Sequence, residues 1–167
     1  MELRLLTEHD AETWRQLRRL ALATDPESFV ESVEDHDQTP LEDTRERFRR
    51  SDAENFVVGM FEGDQLAGVA GFYRYQQAHF RHKGYVWGVY VRKESRGKGV
   101  AQRILEEIIR RARQIPGLEQ ITLIVSAAQP GARRVYERLG FQLYGVEPRS
   151  LKVAGKLIDD GLMVLFF

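Results

Sequence analysis

The sequence predicts a mixed α/β fold, and three observations carry that expectation. Two apolar runs, Asn55 to Phe61 and Leu66 to Tyr75, flank Glu62-Gly63-Asp64 and read as a β-hairpin. An apolar strand ending in Val89-Tyr90-Val91 leads through Arg96-Gly97-Lys98-Gly99 into a long amphipathic segment that closes near Arg113. Finally, 167 residues suffice for a single domain, residues 1–167, with its own core, and the order of elements is no uniform βαβ alternation.

Leu3 to Leu6 reads as the first strand. Thr7 or Asp10 can cap a helix through about Thr24, with Trp14, Leu17 and Ala21 on one face, and Asp25-Pro26 stops it. Residues 27–40 read as acidic and irregular, with Glu27, Glu31, Glu34, Asp35 and Asp37, before a second helix from about Leu41 to Arg50. After the hairpin, a polar loop precedes a strand from Gly84 to Val91. In the amphipathic helix, Ala101, Leu105, Ile108 and Ala112 lie opposite Arg103, Glu106, Glu107, Arg110 and Arg111. Ile121, Leu123 and Val125 alternate as a strand, Gln129-Pro130-Gly131 signals a turn, and a short helix follows. Its apolar face is Ala132, Val135, Tyr136 and Leu139, and Gly140 suits its stop. Strands near Phe141 to Gly145 and Leu162 to Phe167 complete the chain.

Formal net charge is zero, against the basic excess of a general nucleic-acid binder, so no nucleic-acid partner is expected. The start resembles no signal peptide, and no apolar run could span a bilayer, which makes a cytoplasmic protein with no membrane partner the default expectation. Without cysteine the chain has no thiol catalysis, disulfide or Cys-ligated zinc. His79 and His82 stand in a loop with no third ligand near in sequence, so no metal site is expected.

The glycine-rich turn suits an anion, because the first N–H groups of a helix have no intrahelical partner and share its positive dipole end. It is neither of two common phosphate loops. A P-loop needs Ser or Thr after Gly-Lys, and Lys98 is followed by Gly99; a dinucleotide fingerprint begun at Gly97 needs Gly or Ala where Gln102 stands. The remaining pattern, Arg-x-x-Gly-x-Ala from Arg96 to Ala101, resembles the acyl-coenzyme A pyrophosphate loop of the GNAT N-acetyltransferase superfamily. A second segment, Val135-Tyr136-Glu137-Arg138-Leu139-Gly140-Phe141, is similar to the Tyr-bearing helix and Leu-Gly-Phe ending of that superfamily's core.

The resemblance implies a twisted, mostly antiparallel central sheet flanked by helices, with the Gly84–Val91 and Ile121–Val125 strands splayed to admit the pantetheine arm of acetyl-CoA. It assigns Val89, Tyr90 and Val91 to that arm, and Arg96, Gly97, Lys98, Gly99, Val100 and Ala101 to the pyrophosphate. Tyr136 takes the position of the proton-donating tyrosine, against a plain core role. Gln129 stands where many members have Asn, with the same amide groups, and is a cofactor contact. Many members also carry a glutamate base on the strand before the loop, but Tyr85 to Tyr90 include no carboxylate. Glu31, Glu34, His82, Glu147 or a chain of waters could take that part.

The implied activity is direct acetyl transfer from acetyl-CoA to a primary amine, most readily of a small molecule. A peptide amine, at a protein N-terminus or lysine, is the second acceptor class, and a non-catalytic acyl-CoA-binding module is a third reading. Glu31 and its acidic neighbours are expected to attract a cationic amine, while Trp87 and Tyr73 are candidates to line its pocket. The family often dimerises, so the resemblance offers a homodimer as one assembly, while the sequence itself leaves the oligomeric state open.

Overall fold

The computed structural model describes residues 1–167. Seven strands form one sheet: β1 (Glu2–Leu5), β2 (Asn55–Glu62), β3 (Gln65–Arg74), β4 (Lys83–Val91), β5 (Gln120–Ser126), β6 (Gln142–Val153) and β7 (Lys156–Phe166). Their spatial order is β1-β2-β3-β4-β5-β7-β6. Every neighbouring pair is antiparallel except β4 and β5. The helices are α1 (Ala11–Thr24), α2 (Val33–Gln38), α3 (Leu41–Arg49), α4 (Val100–Ala112) and α5 (Pro130–Arg138).

The sheet separates two apolar clusters. On one face, Trp14, Leu17 and Ala21 of α1 and Phe48 of α3 pack on Val57, Val69 and Tyr90. On the other, Ile104, Leu105 and Ile108 of α4 pack on Phe56, Val58, Phe72 and Val86. Ala101 is half-buried, and Ile104 takes the sealed position expected of it. In α5 only Tyr136 is buried; Ala132, Val135 and Leu139 lie at the margin of the core.

Asp10 ties β1 to α1. Its carboxylate accepts from the Thr7 backbone N–H at 2.8 Å and from Arg4 at 2.7 and 2.8 Å, joining the strand to the helix start. The β2–β3 turn is Gly63-Asp64, with Gly63 at φ 60°.

Two elements differ from the expectation. Residues 27–40 are not wholly irregular: Ser32 caps α2, its Oγ accepting from Asp35 N–H while the Asp35 carboxylate takes the Ser32 N–H. The sixth strand runs on from Gln142 to Val153 instead of ending near Gly145, because Ala154-Gly155, at φ 47° and 80°, forms a two-residue turn that pairs Val153 with Lys156. Pro148 and the irregular register between Glu147 and Leu151 hide that continuity in the pattern.

Candidate functional site

β4 and β5 pair only where Lys83, Gly84 and Tyr85 face Gln120, Ile121 and Thr122. Beyond that short ladder the strands part, and Val86 to Val91 on one side and Leu123 to Ser126 on the other bound a wedge. A β-bulge shapes its β4 wall. Val69 pairs with Tyr90 and Gly71 with Trp87, so Gly88 and Val89 together oppose Ala70. Gly88, at φ 63°, takes the left-handed turn. Trp87 and Tyr90 consequently reach the same apolar cluster although three residues apart, while Val86, Val89 and Val91 pack against the opposite one.

The wide end of the wedge leads to the start of α4. Gly97 and Gly99 are left-handed at φ 75° and 76°, and a Cβ on either would meet no atom within 4 Å. Conformation, not crowding, therefore favours glycine there. No side chain caps α4, whose first intrahelical bond runs from Arg103 N–H to Gly99 O at 3.1 Å, leaving the N–H groups of Val100, Ala101 and Gln102 without helical acceptors. Lys98 is exposed beside them and Val100 is buried, anchoring the helix start. Free donors, a dipole end and Lys98 fit a pyrophosphate.

Asp25 spans the mouth of the wedge, a role hidden in sequence behind its reading as a helix stop. Its carboxylate accepts from Arg96 at 2.7 Å and from the Gln129 amide at 3.3 Å, linking the α4 side to the loop before α5. Burial tends to raise the Asp25 carboxyl, but hydrogen bonds from Arg96, Thr24 and Gln129 outweigh it and hold the group below its ordinary value. Arg96 also donates to Val91 O at 3.0 Å, and Thr24 Oγ1 shares a hydrogen bond with Tyr90 Oη at 3.0 Å.

Tyr136 is buried, edge-on to the Phe141 ring with 6.1 Å between ring centres. Burial raises its hydroxyl well above the ordinary tyrosine value, with Tyr85 adding to the shift, so it is a neutral phenol at physiological pH. Tyr85 is itself pushed up to about 12, first by burial and then by Tyr75 and Asp160. Asp160, a buried carboxylate on β7 not singled out in the sequence, accepts from Ser150 Oγ at 2.6 Å. Tyr73 joins this aromatic group, 5.3 Å from Tyr75 and 5.5 Å from Tyr85, opposite the closed end of the wedge. His82 lies at that closed end too, its carbonyl accepting from Glu119 and Gln120, and so stands apart from the bulge.

Trp87 is half-buried between the Trp14 ring, 6.4 Å away, and the Arg47 guanidinium, 5.5 Å from its ring centre. The acidic segment does not present a free negative face. Glu27 pairs with Lys156 at 3.1 Å, Asp37 with Arg19 at 2.9 Å and Glu31 with Arg18 at 2.9 Å, while Asp35 serves its own helix cap. Glu31 also faces the buried His36 ring at 3.4 Å. Ion pairs and the helix cap thus engage Glu27, Glu31, Asp35 and Asp37 within the fold. Glu34 and Glu147 are exposed.

Arg18 was unmarked in sequence, although it stands four residues after Trp14 on the apolar face of α1. That offset is the available signal of a buried charge.

Comparison with known proteins agrees with this architecture. An acetyltransferase of the GNAT family from Streptococcus pneumoniae superposes with a TM-score of 0.90 at 23% identity, covering 99% of both chains. A Salmonella typhimurium protein regarded as an acetyltransferase, solved with its cofactor acetyl-CoA, gives 0.85 at 21% identity, over 99% of this chain and 93% of that one. These are likenesses of fold. An L-methionine sulfoximine/L-methionine sulfone acetyltransferase from Pseudomonas aeruginosa is 32% identical over 77 residues, so the match spans 46% of this chain and 44% of that relative. The profile of the Acetyltransferase (GNAT) family matches residues 12–141, most of the chain, including β4, the glycine turn and the Tyr136 helix. By that match the chain belongs to the acetyltransferase (GNAT) family.

Proposed function

We propose that this protein is an acetyl-CoA-dependent N-acetyltransferase that moves the acetyl group directly to the primary amine of a small molecule. The observation that carries the reading is the wedge between β4 and β5, which runs from the Gly88 bulge to the uncapped start of α4. On the side facing β5, Val89, Tyr90 and Val91 have no strand partner, which suits the amides of a pantetheine arm, and the Gly97-to-Ala101 backbone with Lys98 suits a pyrophosphate. Arg96 and Gln129, joined through Asp25, flank the arm on its two sides.

Bound acetyl-CoA supplies the thioester carbonyl. In this reading a backbone N–H of β4 near Val91 faces that oxygen and stabilises it as negative charge develops. As the amine nitrogen attacks, the new C–N bond forms, the C–S bond breaks, and the departing thiolate takes its proton from the neutral Tyr136 hydroxyl, which regains one from solvent before the next turnover. The amine's own proton leaves to solvent, since β4 carries no carboxylate.

Support for a small acceptor comes from the cover above the wedge. The turn Pro26–Ser28 contacts β5 and β6, and Glu27 pairs with Lys156 at 3.1 Å, so the α1–α2 connection meets the β6–β7 hairpin there. The relative from Pseudomonas aeruginosa, whose named substrates are amino-acid derivatives, favours the same class. We also propose a homodimer, for which the exposed apolar residues of the edge strand β6 are the support.

Thiol release from acetyl-CoA over a panel of amines, with product mass measured, tests the activity against a cysteine-free background. Gly99→Asp should abolish acetyl-CoA binding in calorimetry, because it puts a strained left-handed residue and a negative charge where the pyrophosphate lies. Unchanged affinity would remove the loop assignment. Tyr136→Phe should lower kcat by on the order of 10² while sparing acetyl-CoA affinity. Normal turnover with a lower melting temperature would assign the tyrosine to the core alone.

A further inference from the structure

Among all side chains, two buried polar atoms have no hydrogen-bond partner: Arg18 Nη1 and Ser28 Oγ. Buried donors are rarely left so, and an orphan commonly marks the place of a missing water, ion or ligand. Each of the two lies on a segment that borders the wedge. Arg18 reaches across from α1 toward the β4 bulge, where a Cβ on Gly88 would lie 3.8 Å from Nη1. Ser28 stands in the turn that contacts β5 and β6.

The Arg18 side chain is only 13% exposed. Its Nε donates to Glu31 at 2.9 Å and its guanidinium lies 4.5 Å from the centre of the Phe29 ring, which together fix the direction of the remaining nitrogens. Glu31 is held in turn against His36. Burial pulls the Arg18 guanidinium below its ordinary value, Glu31 opposes that shift, and the nearby Arg47 charge adds to it. Arg47 stacks over Trp14 and Trp87, whereas Arg45 and Arg49 on the same helix, and Arg50 at its end, are each paired with glutamate. Two arginines and one glutamate leave one net positive charge beside the bulge, so a single carboxylate completes both the hydrogen bonding and the charge.

We infer that Arg18, with Arg47 beside it, docks a carboxylate of the acceptor, which places the acceptor in the α-amino-acid class of amines. The inference rests on the acetyl-transfer reading for its chemistry, but the anion subsite stands on Arg18 itself. In an α-amino acid the amine and the carboxylate share one carbon. A carboxylate held by Nη1 beside Gly88 therefore presents the amine at the bulge, where the wedge admits the thioester. Polyamines bring more positive charge to a site that already carries an excess, and are excluded as good acceptors.

The test pairs L-α-amino acids, L-methionine sulfone among them, with their carboxamides. Binding to the full chain in the presence of coenzyme A is measured by calorimetry, and turnover separately by thiol release. Binding of at least one free acid should be tighter than that of its amide by on the order of 10- to 100-fold, the worth of a charged hydrogen bond. Arg18→Met should collapse that ratio toward one while acetyl-CoA affinity holds. Arg47→Gln, at an exposed position on α3, should reduce the ratio in a protein that still folds, with a melting temperature lowered by no more than the lost stacking on Trp14 and Trp87. Equal binding of acid and amide throughout, no binding of any acid, or a ratio that survives in a folded Arg18→Met variant would each overturn the inference. Amines without a carboxylate turned over as well as amino acids would overturn it and leave the transferase intact. Preferential acid binding with no acetylated product would do the reverse, upholding the subsite and removing the activity.

Discussion

A Cβ on Gly71 would lie 2.2 Å from Trp87 Cε2 and 2.4 Å from Cζ2, so the indole occupies the space that any other residue at 71 would claim. Gly71→Ala should therefore cost about 1–3 kcal/mol through displacement of the ring, read as a melting temperature lower by several degrees. If Trp87 walls the acceptor, the same variant should raise KM for the amine more than for acetyl-CoA. At this scale the sequence was legible where backbone conformation decides: Gly97 and Gly99 stood out as turn residues, and both are left-handed. Side-chain partners were not legible. Glu31 looked like one of several free acids, and only the approach of α1 gave it Arg18 and His36. Asp25 looked like a helix stop, and only the folded chain sets it between Arg96 and Gln129, 71 and 104 residues away.

Helix α4 reaches the sheet because Gly68 on β3 has no side chain. A Cβ there would lie 2.8 Å from Val100 Cγ1 and 3.1 Å from Val91 Cγ2, so the same small residue seats the uncapped end of the helix beside the wedge. Helix and strand existence was readable from periodicity through most of the chain, since each amphipathic face needs a core to cover it. The longer β6 was missed because its pattern breaks at Pro148 and Arg149, the latter at φ 55°, and its partner β7 supplies the continuity across that irregularity. As the sheet edge, β6 exposes Leu143, Tyr144 and Val146. Tyr144→Glu combined with Val146→Glu should convert a dimer to monomer in light scattering while changing the melting temperature of the monomer little. A wild-type monomer, or a variant that stays dimeric, would remove this edge from the assembly.

The whole molecule depends on charges that join its parts, and its acid response follows from them. Burial tends to raise the Asp10 carboxyl, but Arg4 and Thr7 outweigh it and hold the group below its ordinary 3.8. As pH falls the unfolded chain takes up this proton before the native one does. Stability from the group is therefore complete above the unfolded value and lost as pH descends through the folded one. Urea unfolding between pH 7 and pH 3 should show this loss, and Asp10→Asn should lower stability at pH 7 and flatten the acid slope. An unchanged slope would assign the acid response to other carboxylates. Sequence by itself determined the mixed α/β class, the position of the glycine turn before α4 and the family likeness, because periodicity, glycine spacing and short motifs are local properties of the chain. Tertiary structure alone decided the parting of β4 from β5, the pairing of Glu27, Glu31 and Asp37 with basic partners and the burial of Arg18 opposite Gly88, because each depends on residues distant in sequence whose meeting only the packed sheet and helices bring about.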